Sequence, residues 1–269
     1  MLPVLAQKSP HILDSSLALE LIHVRKSFGG LVVCQDINLR VKKNSILSIL
    51  GPSGCGKTVT IKMLIGLIRP DSGSILFDEF NIAKFKSEDQ FLPIRQRISM
   101  VFQGAALFDS MTVFENIAYP LVVQGGLSEA EIEDRVLETL GMVGLPDAST
   151  KMPSELSGGM KKRIGLARAI VTHPEVILYD EPTAGLDPIN TRRIVDLIIE
   201  LQERLKCTSL VVTHDIPAVE ILNDDVAFFY AGRVRKTGSL RELYDSEDAI
   251  VRGFVRGDPS VLLTVQGSL

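Results

Sequence analysis

The sequence predicts a doubly wound α/β fold, and three observations lead to this prediction. Short apolar strand patterns alternate with helical patterns along most of the 269 residues, as in sheets that helices cover on both faces. A glycine-rich loop, GPSGCGKT at 51–58, separates a predicted strand from a predicted helix. The run VILYDE at 176–181 is continuously apolar before it ends in two carboxylates, which is typical of a buried parallel strand.

The predicted strands are short apolar runs bounded by turn residues. They are Ser45–Leu50, Ser74–Phe77, Ile98–Gln103, Val176–Tyr179, Ser209–Thr213 and Val226–Tyr230.

Two helices are predicted directly beside these strands. The first covers Lys57–Ile68 and is ended by the turn residues RPDSG at 69–73. The second begins at Asp187 and Pro188, which suit a cap and a first helical turn. Its apolar residues fall on one stripe, formed by Ile194, Ile198, Leu201 and Leu205.

The stretch from about 106 to 172 lacks a convincing strand pattern and is predicted to be a helical insertion. Helices are expected at Thr112–Val123 and Ser128–Val143, and Ser128 with Glu131 matches a capping box. The main domain is expected to cover 18–256. Residues 1–17 and 257–269 are expected to be terminal tails.

Composition and charge narrow the class of protein. Hydrophobic content of 45% and charged content of 23% are ordinary for a globular domain. A net charge of −4 disfavours general nucleic-acid binding. The cysteines, Cys34, Cys55 and Cys207, are too few and scattered for a disulfide framework or a zinc site. No apolar run approaches the roughly 20 residues that span a bilayer, and the N-terminus is a poor signal peptide. We therefore expect a cytoplasmic chain that reaches a membrane only through a partner.

The loop GPSGCGKT fits the G-x-x-x-x-G-K-[ST] phosphate-binding pattern in its strand–loop–helix context. Gly51, Gly54 and Gly56 let backbone N–H groups turn inward around phosphate oxygens, and the helix N-terminus adds partial positive charge. Lys57 is expected to reach the β- and γ-phosphates, and Thr58 to ligate Mg²⁺. The remaining loop residues are Pro52, Ser53 and Cys55. Cys55 is expected to be simply a small residue of the loop that an alkylating reagent could find.

Polar residues follow the carboxyl ends of several predicted strands, where ligands bind in open α/β sheets. Asp180 suits an indirect Mg²⁺ ligand. Glu181 suits the group that polarises attacking water, a role worth about 10²–10⁴-fold in rate. Gln103 and His214 follow the strands ISMVF and SLVVT. A single Gln103 or His214 at such a position is more often a surface polar residue.

A second glycine pair opens a helix at ELSGGMKKR, residues 155–163. The Ser157 hydroxyl and the N–H groups of Gly158 and Gly159 are placed to bind an anion at the helix N-terminus, although SGG before a helix is a common sequence. The basic residues that follow are expected to form a solvated face. They are Lys161, Lys162 and Arg163. His11, His23 and His173 are expected to be surface residues.

Together these motifs resemble the ATP-binding cassette ATPases over roughly residues 18–256. The phosphate loop is followed by the Q-loop glutamine Gln103, the signature LSGGM at 156–160, VILYDEP at 176–182, the D-loop AGLD at 184–187 and the switch histidine His214. Phe28 falls where the family places an aromatic residue against adenine. The resemblance implies a P-loop NTPase (RecA-like) core with an inserted α-helical subdomain and an antiparallel β edge.

The resemblance also implies cofactors and partners. Two cassettes would pack head to tail as a homodimer with twofold symmetry. Each ATP, with its Mg²⁺, would lie between the phosphate loop of one chain and the signature residues Ser157, Gly158 and Gly159 of the other. Gln103 would join Thr58 and Asp180 around the metal, and the D-loop would contribute Asp187.

The surroundings of the motifs resemble the ATPases of the maintenance-of-lipid-asymmetry and mammalian-cell-entry transporters, which move lipids between membranes. This implies integral membrane permease subunits, a small regulatory subunit and a lipid-binding periplasmic component. It also implies a position on the cytoplasmic side of the inner (plasma) membrane. The region after Gln103 would dock the permease. The candidate floor of that groove is apolar, although each residue could equally belong to the core; it comprises Leu107, Phe108, Met111, Val113 and Phe114.

Two alternatives remain open at this stage. The chain has DEPTAGLDP at 180–188, the form shared by cassette ATPases at large, where many lipid-asymmetry ATPases have DEPF-x-GQDP. Uptake of a small solute such as an amino acid is therefore the first alternative. A soluble cassette acting on DNA or ribosomes is disfavoured, because only 53 residues separate Gln103 from Ser157, too few for the long coiled coils of the DNA-repair members.

Overall fold

A single mixed sheet organises the fold. The computed structural model describes residues 13–222 and 225–258, and in these residues ten strands form the sheet. The strands are β1 (Leu17–Phe28), β2 (Leu31–Lys42), β3 (Ile46–Leu50), β4 (Ser72–Phe77), β5 (Phe80–Asn81), β6 (Ile98–Val101), β7 (Val176–Asp180), β8 (Thr208–Thr213), β9 (Asp225–Tyr230) and β10 (Arg233–Ser239). Their spatial order is β5-β4-β1-β2-β10-β9-β3-β8-β7-β6.

The central part of the sheet is parallel. Strand β3 pairs in parallel with β8 and β9, and β7 pairs in parallel with β6 and β8. Every residue of β3, β7 and β8 is buried, which explains why most of their residues are apolar. The predicted α/β fold is confirmed, and the carboxyl ends of β3, β6, β7 and β8 meet at one edge of the sheet.

The other part of the sheet is antiparallel, as the resemblance implied. Strand β1 pairs with β2 and β4, and β4 pairs with β5. In β2 the residues Ile37, Leu39 and Val41 are buried and alternate with exposed polar neighbours, because successive side chains of a strand point to opposite faces. A parallel bridge between Arg233 and Asp36 joins this part to the rest of the sheet.

Helices cover both faces of the sheet. In the described ranges they are α1 (Lys57–Leu64), α2 (Glu88–Arg95), α3 (Val113–Gln124), α4 (Glu129–Met142), α5 (Gly158–Ile170), α6 (Pro188–Leu205), α7 (Ile216–Leu222), α8 (Leu240–Tyr244) and α9 (Ala249–Val255). Helix α1 is shorter than predicted and ends at Leu64. Gly66 has φ 71°, and a left-handed glycine is a common way to end a helix.

The stretch 106–172, all of which the structure describes, contains no strand and carries α3, α4 and α5. The predicted capping box is confirmed. The N–H of Glu131 donates to the Ser128 hydroxyl, and the Ser128 N–H donates to the Glu131 carboxylate at 2.7 Å. These bonds satisfy N–H groups that the first turn of a helix leaves free, so α4 begins at a defined residue.

Helix α6 also begins as the sequence predicted. The carboxylate of Asp187 accepts bonds from the N–H groups of Ile189 and Asn190, and Pro188 is the first helical residue. Of its apolar stripe, Ile194, Ile198 and Leu201 are buried, whereas Leu205 is half-buried.

Some predictions concern the chain ends. Residues 1–12, which include His11, and 259–269 lie outside the described part. Leu13 and Leu17, which the sequence analysis assigned to the N-terminal tail, are buried against Leu76. The domain limits at 18 and 256 stay predictions. None of the helices in the described ranges is long and apolar enough to cross a bilayer.

Candidate functional site

The glycine-rich loop follows β3 and turns into α1. Gly51, Gly54 and Gly56 have φ values of 156°, 79° and 102°, which residues with a side chain rarely adopt. A Cβ on Gly51 would lie 2.2 Å from the carbonyl oxygen of Phe229, and one on Gly56 would lie 2.9 Å from that of Val33. Glycine is therefore required at both positions by backbone conformation and by close packing.

Lys57, the first residue of α1, lies inside the loop. Its ammonium donates to the carbonyl oxygens of Gly51 at 2.7 Å and Pro52 at 3.0 Å, and the residue is buried. The free N–H groups at the start of α1 point toward the same loop. The loop thus combines a cation with a helix N-terminus, an arrangement suited to phosphate.

The loop is joined to the end of β7 through Thr58 and Asp180. The Thr58 hydroxyl donates to Asp180 Oδ1 at 2.7 Å, and Asp180 is buried. A hydroxyl and a carboxylate are hard oxygen ligands, and Mg²⁺ is commonly held by one or two such groups together with phosphates and water. The chemistry of this pair therefore fits Mg²⁺.

Glu181, the next residue, adopts an unusual backbone conformation. It has φ 49°, and its N–H donates to the carbonyl oxygen of Val212 on β8 at 2.9 Å. Non-glycine residues in the left-handed region are uncommon and concentrate at functional sites. The Glu181 carboxylate lies 2.9 Å from Nδ1 of His214, whose imidazole is largely exposed. The structure thus brings together two residues that the sequence placed at the ends of separate strands.

Other predicted site residues do not join this cluster directly. The Gln103 side chain is exposed, and no hydrogen bond within 13–222 and 225–258 links its amide to Thr58 or Asp180. Phe28, at the end of β1, has a half-exposed ring, and the Lys26 ammonium lies 5.1 Å from the ring centre.

The signature residues occupy the start of α5. Ser157 caps the helix by accepting a bond from the Met160 N–H, and Gly158 is exposed. A Cβ on Gly159 would lie 3.5 Å from Oδ1 of Asn190. The Nδ2 group of Asn190 donates to the Asp187 carboxylate. No hydrogen bond in the described residues connects the signature to the phosphate loop of the same chain.

The predicted solvated face is wrong for Lys162. Its side chain is buried and donates to the carbonyl oxygens of Gln103 at 2.5 Å and Glu181 at 3.4 Å. Arg163 is half-buried and bonds the carbonyl oxygens of Val143 and Gly144 at 3.3 Å. The helical period could have shown that Lys162, Leu166 and Ala169 share a buried side of α5, but basic residues are usually assigned to solvent.

The candidate docking residues divide into two groups. Val113 is completely buried among core residues, so it cannot form the floor of a surface groove. Leu107, Met111 and Phe114 are half-buried, and Phe108 is exposed. An open cavity of about 490 Å³ lies between α3 and α4. Its apolar lining comprises Met111, Phe114, Ala118, Tyr119, Val122 and Ile132, and its acidic lining comprises Glu115, Glu129 and Glu133.

Cys55 packs inside the phosphate loop. Its side chain is buried, and burial raises the pKa of its thiol above the ordinary value despite the nearby Lys57. Its Sγ would lie 3.1 Å from a Cβ placed on Gly51. Cys55 therefore fills space as a neutral thiol, whereas the sequence analysis expected only a small residue of the loop.

A glycine loop between a parallel strand and a helix, bonded to an acidic strand end, defines a P-loop nucleoside triphosphatase. The family model described as ABC transporter matches residues 34–184, more than half of the chain. The chain belongs to the ABC transporter family: it is an ABC ATPase, and ATP is its nucleotide.

Curated relatives carry several transport descriptions. A probable ribonucleotide transport ATP-binding protein, mkl, of Mycobacterium leprae is 39% identical, covering 89% of this chain and 69% of the relative. The intermembrane phospholipid transport ATP-binding protein MlaF of Haemophilus influenzae is 40% identical, covering 86% and 87%. A methionine import ATP-binding protein, MetN, of Carboxydothermus hydrogenoformans is 40% identical, covering 78% and 61%.

Solved structures agree on the fold. One is a dimeric ATP-binding cassette in a post-hydrolysis state bound to ADP and Pi, 32% identical with TM-score 0.75, covering 83% of this chain and 99% of that one. Another is cbiO1 from Clostridium perfringens, part of the transporter complex cbiONQ, 31% identical with TM-score 0.79, covering 93% and 99%.

Proposed function

We propose that this chain is the ATP-hydrolysing subunit of a transporter that moves phospholipid or another lipid between membranes through a partner permease. The observation that carries the catalytic part is the joining of two pairs at one sheet edge. Thr58 lies 2.7 Å from Asp180, and the adjacent Glu181 lies 2.9 Å from His214. In this proposal the first pair binds a cation, and Glu181 of the second pair acts as the carboxylate base beside it.

In this proposal the phosphates of ATP lie against the N–H groups of residues 51–58. The Lys57 ammonium would exchange its bonds to two loop carbonyls for bonds to the β- and γ-phosphates, which offer it charge-assisted partners. Phe28 would stack on the adenine. Its exposed ring and the nearby Lys26 leave one aromatic surface available to a planar ligand.

Mg²⁺ would be held by Thr58 and Asp180, with Gln103 approaching in a closed state, and would neutralise charge on the transferring phosphoryl group. Glu181 orients the attacking water and takes up its proton. His214 holds the Glu181 carboxylate through the 2.9 Å contact. The left-handed backbone of Glu181 is held by the bond to Val212, so the base is oriented before substrate arrives.

The functional unit in this proposal is a homodimer with two shared sites. Gly158 and the Ser157 side chain are exposed at the start of α5 and face no phosphate loop within the described chain. A free helix N-terminus of this kind binds anions. Ser157, Gly158 and Gly159 would therefore contact the γ-phosphate held by the second copy, with Asp187 lying at the same interface.

The permease would dock at the cavity between α3 and α4. Its apolar residues Met111, Phe114 and Tyr119 are accessible, and its rim carries three glutamates. An apolar segment with basic flanks on the membrane subunit fits this combination. The dimer would then lie on the cytoplasmic side of the inner membrane, and a regulatory subunit and a lipid-binding periplasmic component would complete the transporter.

Lipid is favoured as cargo by the MlaF relative, which matches most of both chains. A small solute is the second candidate, because two methionine importers named MetN are also 40% identical. They match 78% and 93% of this chain but only 61% and 68% of their own lengths. Affinity purification in mild detergent, with partners and bound lipids identified by mass, separates the two. Recovery of a permease with phospholipid supports the first candidate, and recovery with a solute-binding protein and no lipid supports the second.

The catalytic assignment is tested with Glu181→Gln. This variant should bind ATP, lose nearly all turnover and accumulate as a closed dimer in size-exclusion chromatography with ATP. Normal hydrolysis would remove Glu181 from the proposed role.

The shared site is tested by mixing two inactive variants, Lys57→Ala and Ser157→Arg. A mixed dimer has one site in which both defects coincide and one site that is intact, so partial turnover should return. Continued inactivity in a mixture shown to form heterodimers would contradict the shared-site arrangement.

A further inference from the structure

Three residues on one side of α5 contact the loop that follows β6. They recur every third position, close to the helical period. The Lys162 ammonium donates to the Gln103 carbonyl oxygen at 2.5 Å. A Cβ on Gly165 would lie 3.1 Å from the Ala105 Cβ. The Arg168 guanidinium donates to the carbonyl oxygens of Ala105 at 2.9 Å and Ala106 at 2.8 Å.

This loop has a backbone that alanine rarely adopts. Ala105 and Ala106 have φ values of 61° and 50°. Consecutive non-glycine residues in the left-handed region persist only where the surroundings hold them. The bonds from Arg168 to both carbonyl groups provide that restraint. The loop carrying Gln103 is therefore attached to the helix that begins with the signature.

Lys162 differs from Arg168 in also reaching the end of β7. Its ammonium lies 3.4 Å from the carbonyl oxygen of Glu181, the residue with left-handed backbone. Burial of an ammonium is unfavourable unless its bonding is satisfied. Burial lowers the pKa of Lys162, while the Glu181 carboxylate favours the charged form. A methionine would fill most of the same space without the cost of burying an ammonium. We therefore expect the charge and the donors of Lys162 to have a specific role.

We propose that Lys162 is a positioning residue whose ammonium ties the backbones of Gln103 and Glu181 to the helix that begins with the signature. This rests on the proposed role of Glu181 as the base. Since the signature at the start of α5 would contact the ATP of the second copy, a shift of α5 alters the Lys162 contacts to both loops. The orientation of the base thereby depends on whether the signature of the same chain is engaged.

The test compares Lys162→Met, which keeps most of the side-chain length and removes the donors, with Lys162→Arg, which keeps the charge and several donors. Lys161→Met is the matched control. It is the same substitution one residue earlier in α5, and within the described residues the Lys161 ammonium makes no hydrogen bond. Steady-state ATPase kinetics, ATP affinity by equilibrium dialysis and hydrogen exchange of residues 102–106 and 181–184 are measured on the full chain.

For Lys162→Met we expect kcat to fall on the order of tenfold to a hundredfold, because small misplacements of a reacting group have effects of that size. The KM and Kd for ATP should stay within about twofold, since the phosphate loop does not touch Lys162. Exchange should accelerate in both segments. Lys162→Arg should recover most of kcat and of the protection, and Lys161→Met should match the parent chain.

Unchanged kcat and unchanged exchange in Lys162→Met would overturn the inference. A loss of ATP affinity that accompanies the loss of kcat would overturn it as well, because that result indicates general damage. Failure of this inference about Lys162 is distinguishable from failure of the proposed function. If Glu181→Gln hydrolyses ATP normally, the proposed function fails, whereas exchange of the two segments still reports the Lys162 contacts.

Discussion

The hydroxyl of Thr58 and the carboxylate of Asp180 are separated by 122 positions in the chain and share a hydrogen bond of 2.7 Å. Thr58 belongs to α1 and Asp180 ends β7, so the bond connects the phosphate loop to a strand beyond the helical insertion. A bond at the carboxyl edge of a parallel sheet fits the general position of ligand sites in open α/β folds.

This relationship predicts a magnesium defect in Asp180→Asn. The substitution keeps the shape of the side chain and removes its negative charge, so the apparent affinity for Mg²⁺ should fall about tenfold or more. ATPase rate is measured across a titration of Mg²⁺ at saturating ATP. Asp196→Asn is the control, because Asp196 is an exposed carboxylate in an i,i+4 pair with Arg192. Equal magnesium dependence of both variants and the parent chain would contradict the assignment.

The contact between His214 and Glu181 predicts a defect in kcat. In His214→Ala the Glu181 carboxylate loses its 2.9 Å partner, so turnover should fall about tenfold or more while KM for ATP changes little, in line with loss of a group that orients a base. The control is His173→Ala, since His173 is an exposed histidine beside β7 at the opposite end of the strand. Turnover of His214→Ala equal to that of His173→Ala would show that the contact has no catalytic effect.

The environment of Cys55 predicts slow, pH-dependent alkylation. Because burial raises the pKa of this thiol, little thiolate is present at neutral pH, and only the thiolate reacts. Labelling by iodoacetamide should be slow at pH 7 and should accelerate only as the pH rises above the ordinary pKa of a cysteine thiol. Peptide mass spectrometry follows Cys55 separately from Cys34 and Cys207, and saturating ATP should slow its labelling. Rapid modification at pH 7 would contradict a buried neutral thiol.

Two glycine substitutions should have opposite effects on stability. In Gly51→Ala the added Cβ would lie 2.2 Å from the Phe229 carbonyl oxygen, so we expect a loss of about 1–3 kcal/mol. Gly141 lies within α4 with no atom within 4 Å of an added Cβ. Gly141→Ala should therefore add about 0.5–1 kcal/mol.

Thermal melting of the two variants gives the comparison directly, and each kcal/mol corresponds to about 2–4 °C in a domain of this size. ATP affinity should fall in Gly51→Ala and stay unchanged in Gly141→Ala. A Gly51→Ala protein that melts at the parent temperature would mean that the loop relaxes away from Phe229.

Several regular elements were predictable because their causes are local, whereas β1, β2, β5 and β10 were not among the predicted strands. The buried strand at β7 was visible as a continuous apolar run, and the start of α6 was visible as Asp187 followed by Pro188. The start of α4 was predictable from Ser128 and Glu131 for the same reason. The end of α1 was predicted four residues too late, because a single glycine, Gly66, decides it and apolar residues continue beyond.

Sequence alone determined the kind of chemistry, since phosphate binding needs glycine, lysine and hydroxyl side chains within one short loop and the chain has them at 51–58. The tertiary structure decided which distant residues meet and which cations are buried. The Thr58 bond to Asp180 depends on strand order, and the Lys162 bonds depend on how α5 packs against two loops. Such contacts arise from the packing of whole elements, and a basic residue has the same local pattern whether it faces water or two buried carbonyl groups.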